Sequence, residues 1–113
     1  MKLCMIGTGY VGLVSGVCFS DLGNTVYCVD KNISKIKKLN NGNIPIYEPG
    51  LEEILKRNFK RKKLIFTTNL QKAIVNSDII FICVGTPTKK KSNSADLKYV
   101  LQAAKDICKF TNK

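Results

Sequence analysis

Lys2-Leu3-Cys4-Met5-Ile6-Gly7-Thr8-Gly9-Tyr10-Val11-Gly12 is the stretch that decides how this chain folds. Lys2 to Ile6 is a short apolar run of strand length. Gly7, Gly9 and Gly12 follow with G-x-G-x-x-G spacing, and Leu13-Val14-Ser15-Gly16-Val17-Cys18-Phe19 continues as a helix. Each glycine in such a strand-turn-helix unit has its own task. Gly7 lets the chain turn sharply out of the strand. Gly9, without a Cβ, lets a pyrophosphate approach the backbone. Gly12 lets the helix pack closely on the strand. The helix opening at Tyr10 and Val11 then directs unpaired N–H groups and the positive end of its dipole at the phosphates.

A dinucleotide site of this kind needs an acid about 20 residues further on, at the end of a second strand. Thr25-Val26-Tyr27-Cys28-Val29 is that strand, and Asp30 ends it, 18 residues after Gly12. A carboxylate there accepts hydrogen bonds from the ribose hydroxyls of an adenosine and repels a 2′-phosphate. The expected cofactor is therefore NAD rather than NADP, with Lys31 and Lys35 near enough to soften the preference.

The remaining elements alternate in the same manner. A helix over about 33–39 presents Ile33, Ile36 and Leu39 on one face, with Asn32 or Ser34 as its cap. Two prolines keep Ile44-Pro45-Ile46-Tyr47-Glu48-Pro49-Gly50 out of regular helix. A helix over 51–58, a strand over 64–67 and a short helix over 70–75 follow. Ile79-Ile80-Phe81-Ile82-Cys83-Val84 is a continuous apolar run, the mark of a strand covered on both faces. A last helix from about Ala95 or Asp96 to Phe110 has Leu97, Val100, Leu101, Ala104, Ile107 and Cys108 as its apolar positions. This succession predicts an α/β fold, a Rossmann-type doubly wound parallel sheet in truncated form, with strand order 3-2-1-4 and right-handed crossovers. The fourth strand crosses to the far side of the first, which makes a switch point where ligands bind. Gly7, Asp30 and Thr86 all fall at the carboxyl ends of the strands that meet there.

At 113 residues the chain is one domain, burying about 65% of its unfolded surface. Its net charge of +11 is concentrated in Lys31–Lys38, Lys56–Lys63 and Lys89–Lys91. These runs fall on polar helix faces and loops with few aromatics among them, so they read as solvated surface and no nucleic-acid partner is expected. Five cysteines, no C-x-x-C pair and no histidine leave no metal site in view. Cys4, Cys28 and Cys83 fall in predicted core strands, and the odd count fits reduced thiols in a cytoplasmic protein. The glycines and Asp21 break the apolar N-terminus too soon for a signal peptide or a membrane span.

Four stretches together carry a resemblance. They are Gly7-Thr8-Gly9-Tyr10-Val11-Gly12-Leu13; Asp30 with Lys35 and Leu39-Asn40; Pro45-Ile46-Tyr47-Glu48-Pro49-Gly50-Leu51; and Val84-Gly85-Thr86-Pro87-Thr88 with Ala95-Asp96-Leu97-Lys98-Tyr99-Val100. In this order and spacing the chain resembles the N-terminal NAD-binding domain of the UDP-glucose/GDP-mannose dehydrogenase family, over essentially all of its length. Tyr47 makes it more similar to the UDP-glucose 6-dehydrogenase branch than to the GDP-mannose or UDP-N-acetylmannosamine branches.

The resemblance implies that Gly7, Gly9, Tyr10, Val11 and Gly12 hold the NAD pyrophosphate. It implies that Asp30 holds the adenosine ribose, that Lys35 sits beside it, and that Thr86 contacts the cofactor. It also implies a two-fold oxidation of the sugar C6 alcohol of UDP-glucose, with two NAD reduced, by an enzyme that is an oligomer at full length. The cysteine nucleophile and the sugar-nucleotide pocket belong to later domains of the family. None of the five cysteines here matches the nucleophile's motif, so no catalytic residue is assigned and residues 1–113 are expected to be inactive alone. A stand-alone nucleotide-binding module and a basic nucleic-acid binder are the competing readings.

Overall fold

Among the described residues, four parallel strands form one sheet in the order β3-β2-β1-β4. They are β1 (Lys2–Ile6), β2 (Thr25–Val29), β3 (Leu64–Thr67) and β4 (Ile79–Ile82). The structure, a computed structural model, describes residues 1–85 and 96–111. Leu3 to Ile6 of β1 pair with Val26 to Val29 on one side and with Ile79 to Ile82 on the other. This is the strand order the sequence predicts, with the crossover beyond β1 in place.

Among the described residues five helices flank the sheet: α1 (Tyr10–Asp21), α2 (Ile33–Asn40), α3 (Leu51–Lys60), α4 (Leu70–Val75) and α5 (Lys98–Thr111). Because both faces of β1 are covered, Leu3, Cys4, Met5 and Ile6 are all buried, so the strand reads as a continuous apolar run. On one face Leu3, Met5, Val26, Cys28, Leu64 and Phe66 pack against Leu13, Val17, Leu39 and Leu55 of the helices. On the other, Cys4, Ile6 and Val29 pack against Ala73, Ile74 and Ala103.

Asn32 caps α2 and Asn69 caps α4, each side chain accepting the N–H of the residue three further on, Lys35 and Lys72, at 3.1 Å. Gly23, at φ +102°, turns the chain out of α1 into β2.

Three expectations are corrected. α3 continues past Asn58 to Lys60, because the Asn58 amide donates to Ile54 O at 2.9 Å and to Asp21 Oδ1 at 3.0 Å and lies buried inside the helix. β4 stops at Ile82, leaving Cys83 half-buried just beyond it, although the Cys83 N–H still donates to Ile6 O at 2.8 Å. The packed side of α5 is Ala103 with Ile107 and Phe110, whereas Leu97, Leu101 and Cys108 are exposed. α5 packs on α4 and on β4, the edge strand, which gives it less sheet to cover than its apolar positions would fill. No helix among the described residues is long and apolar enough to cross a membrane.

Candidate cofactor site

The glycine turn sits where the carboxyl ends of β1, β2 and β4 meet. Gly7 adopts φ +108°, and a Cβ there would lie 2.6 Å from the Cys83 carbonyl oxygen, so both conformation and space demand glycine. Its N–H donates to Val29 O at 2.8 Å, tying the turn to the end of β2. A Cβ on Gly12 would fall 2.1 Å from Gly7 O. The close approach at Gly12 is thus to the turn itself and to Cys83, while Gly16 sets the distance from α1 to the sheet: a Cβ there would meet Cys28 Sγ at 2.8 Å and Met5 Cγ at 3.3 Å. The role of Gly16 was not read from the sequence, since Cys28 and Met5 reach it only through the fold.

Gly9 differs from the other two. Among the described residues, a Cβ built on it meets nothing within 4 Å. It is the N-cap of α1 with no side-chain capping bond, and the first turn of the helix holds no acid. The helix therefore presents its first N–H groups to an open space with no side chain competing for them, which is what a phosphate needs. Tyr10 and Val11, the first two helical residues, are both more than half exposed.

Asp30 follows β2 at the rim of this space. Its Oδ2 accepts the Thr8 hydroxyl at 2.6 Å and the Thr8 N–H at 3.1 Å, and Oδ1 accepts the Asn32 N–H at 3.0 Å. Lys35 Nζ lies 3.8 Å from Oδ2. Partial burial pushes the carboxyl upward, but the Thr8 hydroxyl, the Asn32 and Thr8 N–H groups and the Lys35 charge outweigh it and hold Asp30 below the usual aspartate range. Asp30 is an anion at neutral pH. Thr8, fully buried, is a member of the site that sequence reasoning missed. Its only signal was a hydroxyl residue between the first two glycines.

Tyr10 carries a second unforeseen contact. Its hydroxyl donates to Glu48 Oε2 at 2.6 Å, joining the glycine turn to the proline-bounded connector over residues 44–50. That bond, together with the charge of Glu48, raises the Tyr10 phenol above its ordinary value. Tyr47 beside it is 91% exposed. The structure thus gathers Gly7, Gly9, Tyr10, Val11, Gly12, Asp30 and Lys35 about one sheet edge; Thr86 lies outside the described residues.

The three cysteines in and beside the strands are not primed for chemistry. Burial, with the neighbouring Cys83, pushes the Cys4 thiol up to about 12, and burial raises Cys28 and Cys83 as well. Among the described residues no three His, Cys, Asp or Glu side chains come together to hold a metal. The open space above Gly9, the uncapped helix and the anionic Asp30 suit the pyrophosphate and the ribose of NAD.

The family model described as UDP-glucose/GDP-mannose dehydrogenase family, NAD binding domain, matches residues 1–113. The chain belongs to that family. Its part in the family is the NAD-binding domain, and the family's members are nucleotide-sugar dehydrogenases.

Among its relatives, UDP-glucose 6-dehydrogenase of Rhizobium meliloti is 52% identical over 95% of this chain and 24% of its own length. UDP-glucose 6-dehydrogenase TuaD of Bacillus subtilis is 53% identical over 98% of this chain and likewise 24% of its own length. Among solved structures, a ternary complex of GDP-mannose dehydrogenase from Pseudomonas aeruginosa superposes with a TM-score of 0.94 at 40% identity, covering 100% of this chain and 26% of that one. A UDP-glucose dehydrogenase from Pyrobaculum islandicum gives 0.87 at 42% identity, over 94% and 24%. The NAD-binding domain described here thus spans about a quarter of the length of the relatives it matches.

Proposed function

We propose that residues 1–113 hold the cofactor for a UDP-glucose 6-dehydrogenase. In this reading Gly7, Gly9, Tyr10, Val11 and Gly12 take the pyrophosphate, Asp30 accepts from the adenosine ribose with Lys35 beside it, and Thr86 contacts the cofactor beyond β4. The observation that carries the cofactor half is the juxtaposition of the anionic Asp30 with the open space at Gly9. Identity above 50% to enzymes of that name supports the sugar half.

NAD, when bound, supplies the acceptor for a hydride from the sugar C6. The whole enzyme then takes the alcohol to a carboxylate in two two-electron oxidations, each reducing one NAD, with water supplying the second carboxylate oxygen. What residues 1–113 contribute is binding and aim. The turn fixes the pyrophosphate on backbone N–H groups, and Asp30 fixes the adenosine end, so the far end of the dinucleotide has a defined reach. The covalent step of such an oxidation needs a thiolate. Cys4, Cys28 and Cys83 are held protonated by burial, and none of the five cysteines lies in the nucleophile's motif, so in this reading residues 1–113 do not oxidise the sugar by themselves.

Calorimetric titration with NAD, comparing the chain with Asp30→Ala, tests the cofactor half. A loss of about tenfold or more in affinity is expected from removal of a charged hydrogen-bond acceptor. Equal affinities would overturn it. GDP-mannose is the second reading for the sugar, favoured by the 0.94 superposition on a GDP-mannose dehydrogenase. Turnover with UDP-glucose, GDP-mannose and UDP-N-acetylmannosamine compared side by side, in protein extended by the remaining family domains, decides between them.

A further inference from the structure

We infer that Thr8 is a positioning residue for cofactor choice: its hydroxyl and N–H together clamp one oxygen of Asp30 and leave the other to face the ribose. The inference rests on the NAD-binding reading and deepens it.

A carboxylate oxygen offers two in-plane lone pairs. Both lone pairs of Asp30 Oδ2 are engaged by Thr8, through its hydroxyl at 2.6 Å and its N–H at 3.1 Å. Oδ1 accepts the Asn32 N–H at 3.0 Å and, among the described residues, keeps one lone pair free. The clamp is rigid at the Thr8 end. Thr8 is 0% exposed and lies between Gly7, whose conformation is fixed by φ +108° and by the Cys83 carbonyl, and Gly9 at the mouth of the phosphate space. The residue that orients the ribose acid is therefore part of the phosphate turn itself. The two ends of the adenosine diphosphate site are thus joined directly through Thr8, in addition to the backbone bond from Gly7 to Val29 at the sheet.

Lys35 makes the clamp bear on specificity. Its ammonium stands 3.8 Å from the clamped oxygen, and its side chain is about a third exposed. While Thr8 holds Asp30 in place, the carboxylate charge offsets the Lys35 ammonium beside it, and a 2′-phosphate meets a carboxylate. Without the hydroxyl, Oδ2 keeps only the weaker N–H bond. The carboxylate, left with the Thr8 and Asn32 N–H groups alone, is then looser and turns more readily toward Lys35 and solvent. The barrier to a 2′-phosphate falls, and the affinity for a plain ribose falls with it.

The test is Thr8→Val, which keeps the buried bulk and removes the O–H, alongside Thr8→Ser, which restores it. NAD and NADP are titrated separately against each variant and the parent chain, with circular dichroism and thermal melting to check the fold. Thr8→Val is expected to weaken NAD by about tenfold, the loss of one hydrogen bond to a charged group, and to narrow the NAD-to-NADP preference by a similar factor. Thr8→Ser is expected to recover both. An unchanged preference, equal weakening of NAD and NADP, or failure of serine to rescue a folded variant would overturn the role of Thr8. If Asp30→Ala weakens NAD while folded Thr8→Val does not, the clamp fails and the NAD site stands. If the parent chain binds neither dinucleotide, both fail.

Discussion

Tyr10 and Glu48, 38 positions apart, are joined by a 2.6 Å hydrogen bond from the phenol to the carboxylate. Tyr10 opens the helix of the phosphate turn and Glu48 lies in the proline-bounded connector, so the bond fastens a segment without regular structure to the cofactor site. The neutral phenol donates and the negative carboxylate opposes its ionisation, so Tyr10 titrates above its ordinary value in the folded chain. The folded value being the higher, any stabilisation from the bond is present below the unfolded tyrosine value and disappears as pH rises through the folded one. Glu48→Gln is expected to bring the titration of Tyr10 down in ultraviolet difference spectra. An unmoved titration would place the cause elsewhere. In Tyr10→Phe, amide exchange over residues 44–50 is expected to quicken.

Asp30 has the opposite sign. Its folded value is depressed, so its contribution is complete above the unfolded aspartate value of about 3.9 and is lost as pH falls through the folded value. Asp30→Asn removes the titrating group. The drop in melting temperature between neutral and strongly acid pH is then expected to be smaller in this variant than in the parent, by differential scanning calorimetry at matched ionic strength.

Gly7 and Gly9 are expected to part company on substitution. Gly7→Ala places a Cβ 2.6 Å from the Cys83 carbonyl at φ +108° and is expected to destabilise the fold by about 1–3 kcal/mol, measured by urea unfolding. Gly9 has φ −71° and no atom within 4 Å of an added Cβ. Gly9→Ala is expected to leave stability within about 0.5 kcal/mol while NAD binding is lost, because the methyl occupies the space kept for phosphate.

Gly16 and Cys28 form a coupled pair. A Cβ at Gly16 would lie 2.8 Å from Cys28 Sγ, so Gly16→Ala overpacks the layer between α1 and the sheet at a cost of about 1–3 kcal/mol. Cys28→Ala removes the obstructing sulfur. In a double-mutant cycle the pair is expected to be less damaging than the sum of the two changes by more than about 0.5 kcal/mol.

How much of this was readable in advance depended on whether a feature is local. The glycine turn, the strand ending in Asp30 and a cap at Asn32 or Ser34 are encoded within a few residues, and the strand order followed from connectivity rules. What escaped notice crosses the fold. Asn58 looked like a helix end because its partner Asp21 lies 37 positions away. Leu101 and Cys108 looked like core because helical spacing cannot report how little sheet lies beneath α5. Thr8 could be any residue by the glycine motif alone; only the position of Asp30 gives its hydroxyl a purpose.

The carbonyl of Cys83 occupies the place where a side chain on Gly7 would be. The residues of the phosphate turn are made before β4, yet their shape is fitted against a backbone made more than seventy residues later. A nascent chain that has finished β1, α1 and β2 holds every residue of the turn and its tie to Val29, and lacks the Cys83 backbone against which Gly7 sits. Readiness to take the cofactor is therefore a late event in synthesis, timed by the arrival of β4, and a ribosome stalled before Ile79 would carry the motif without the site.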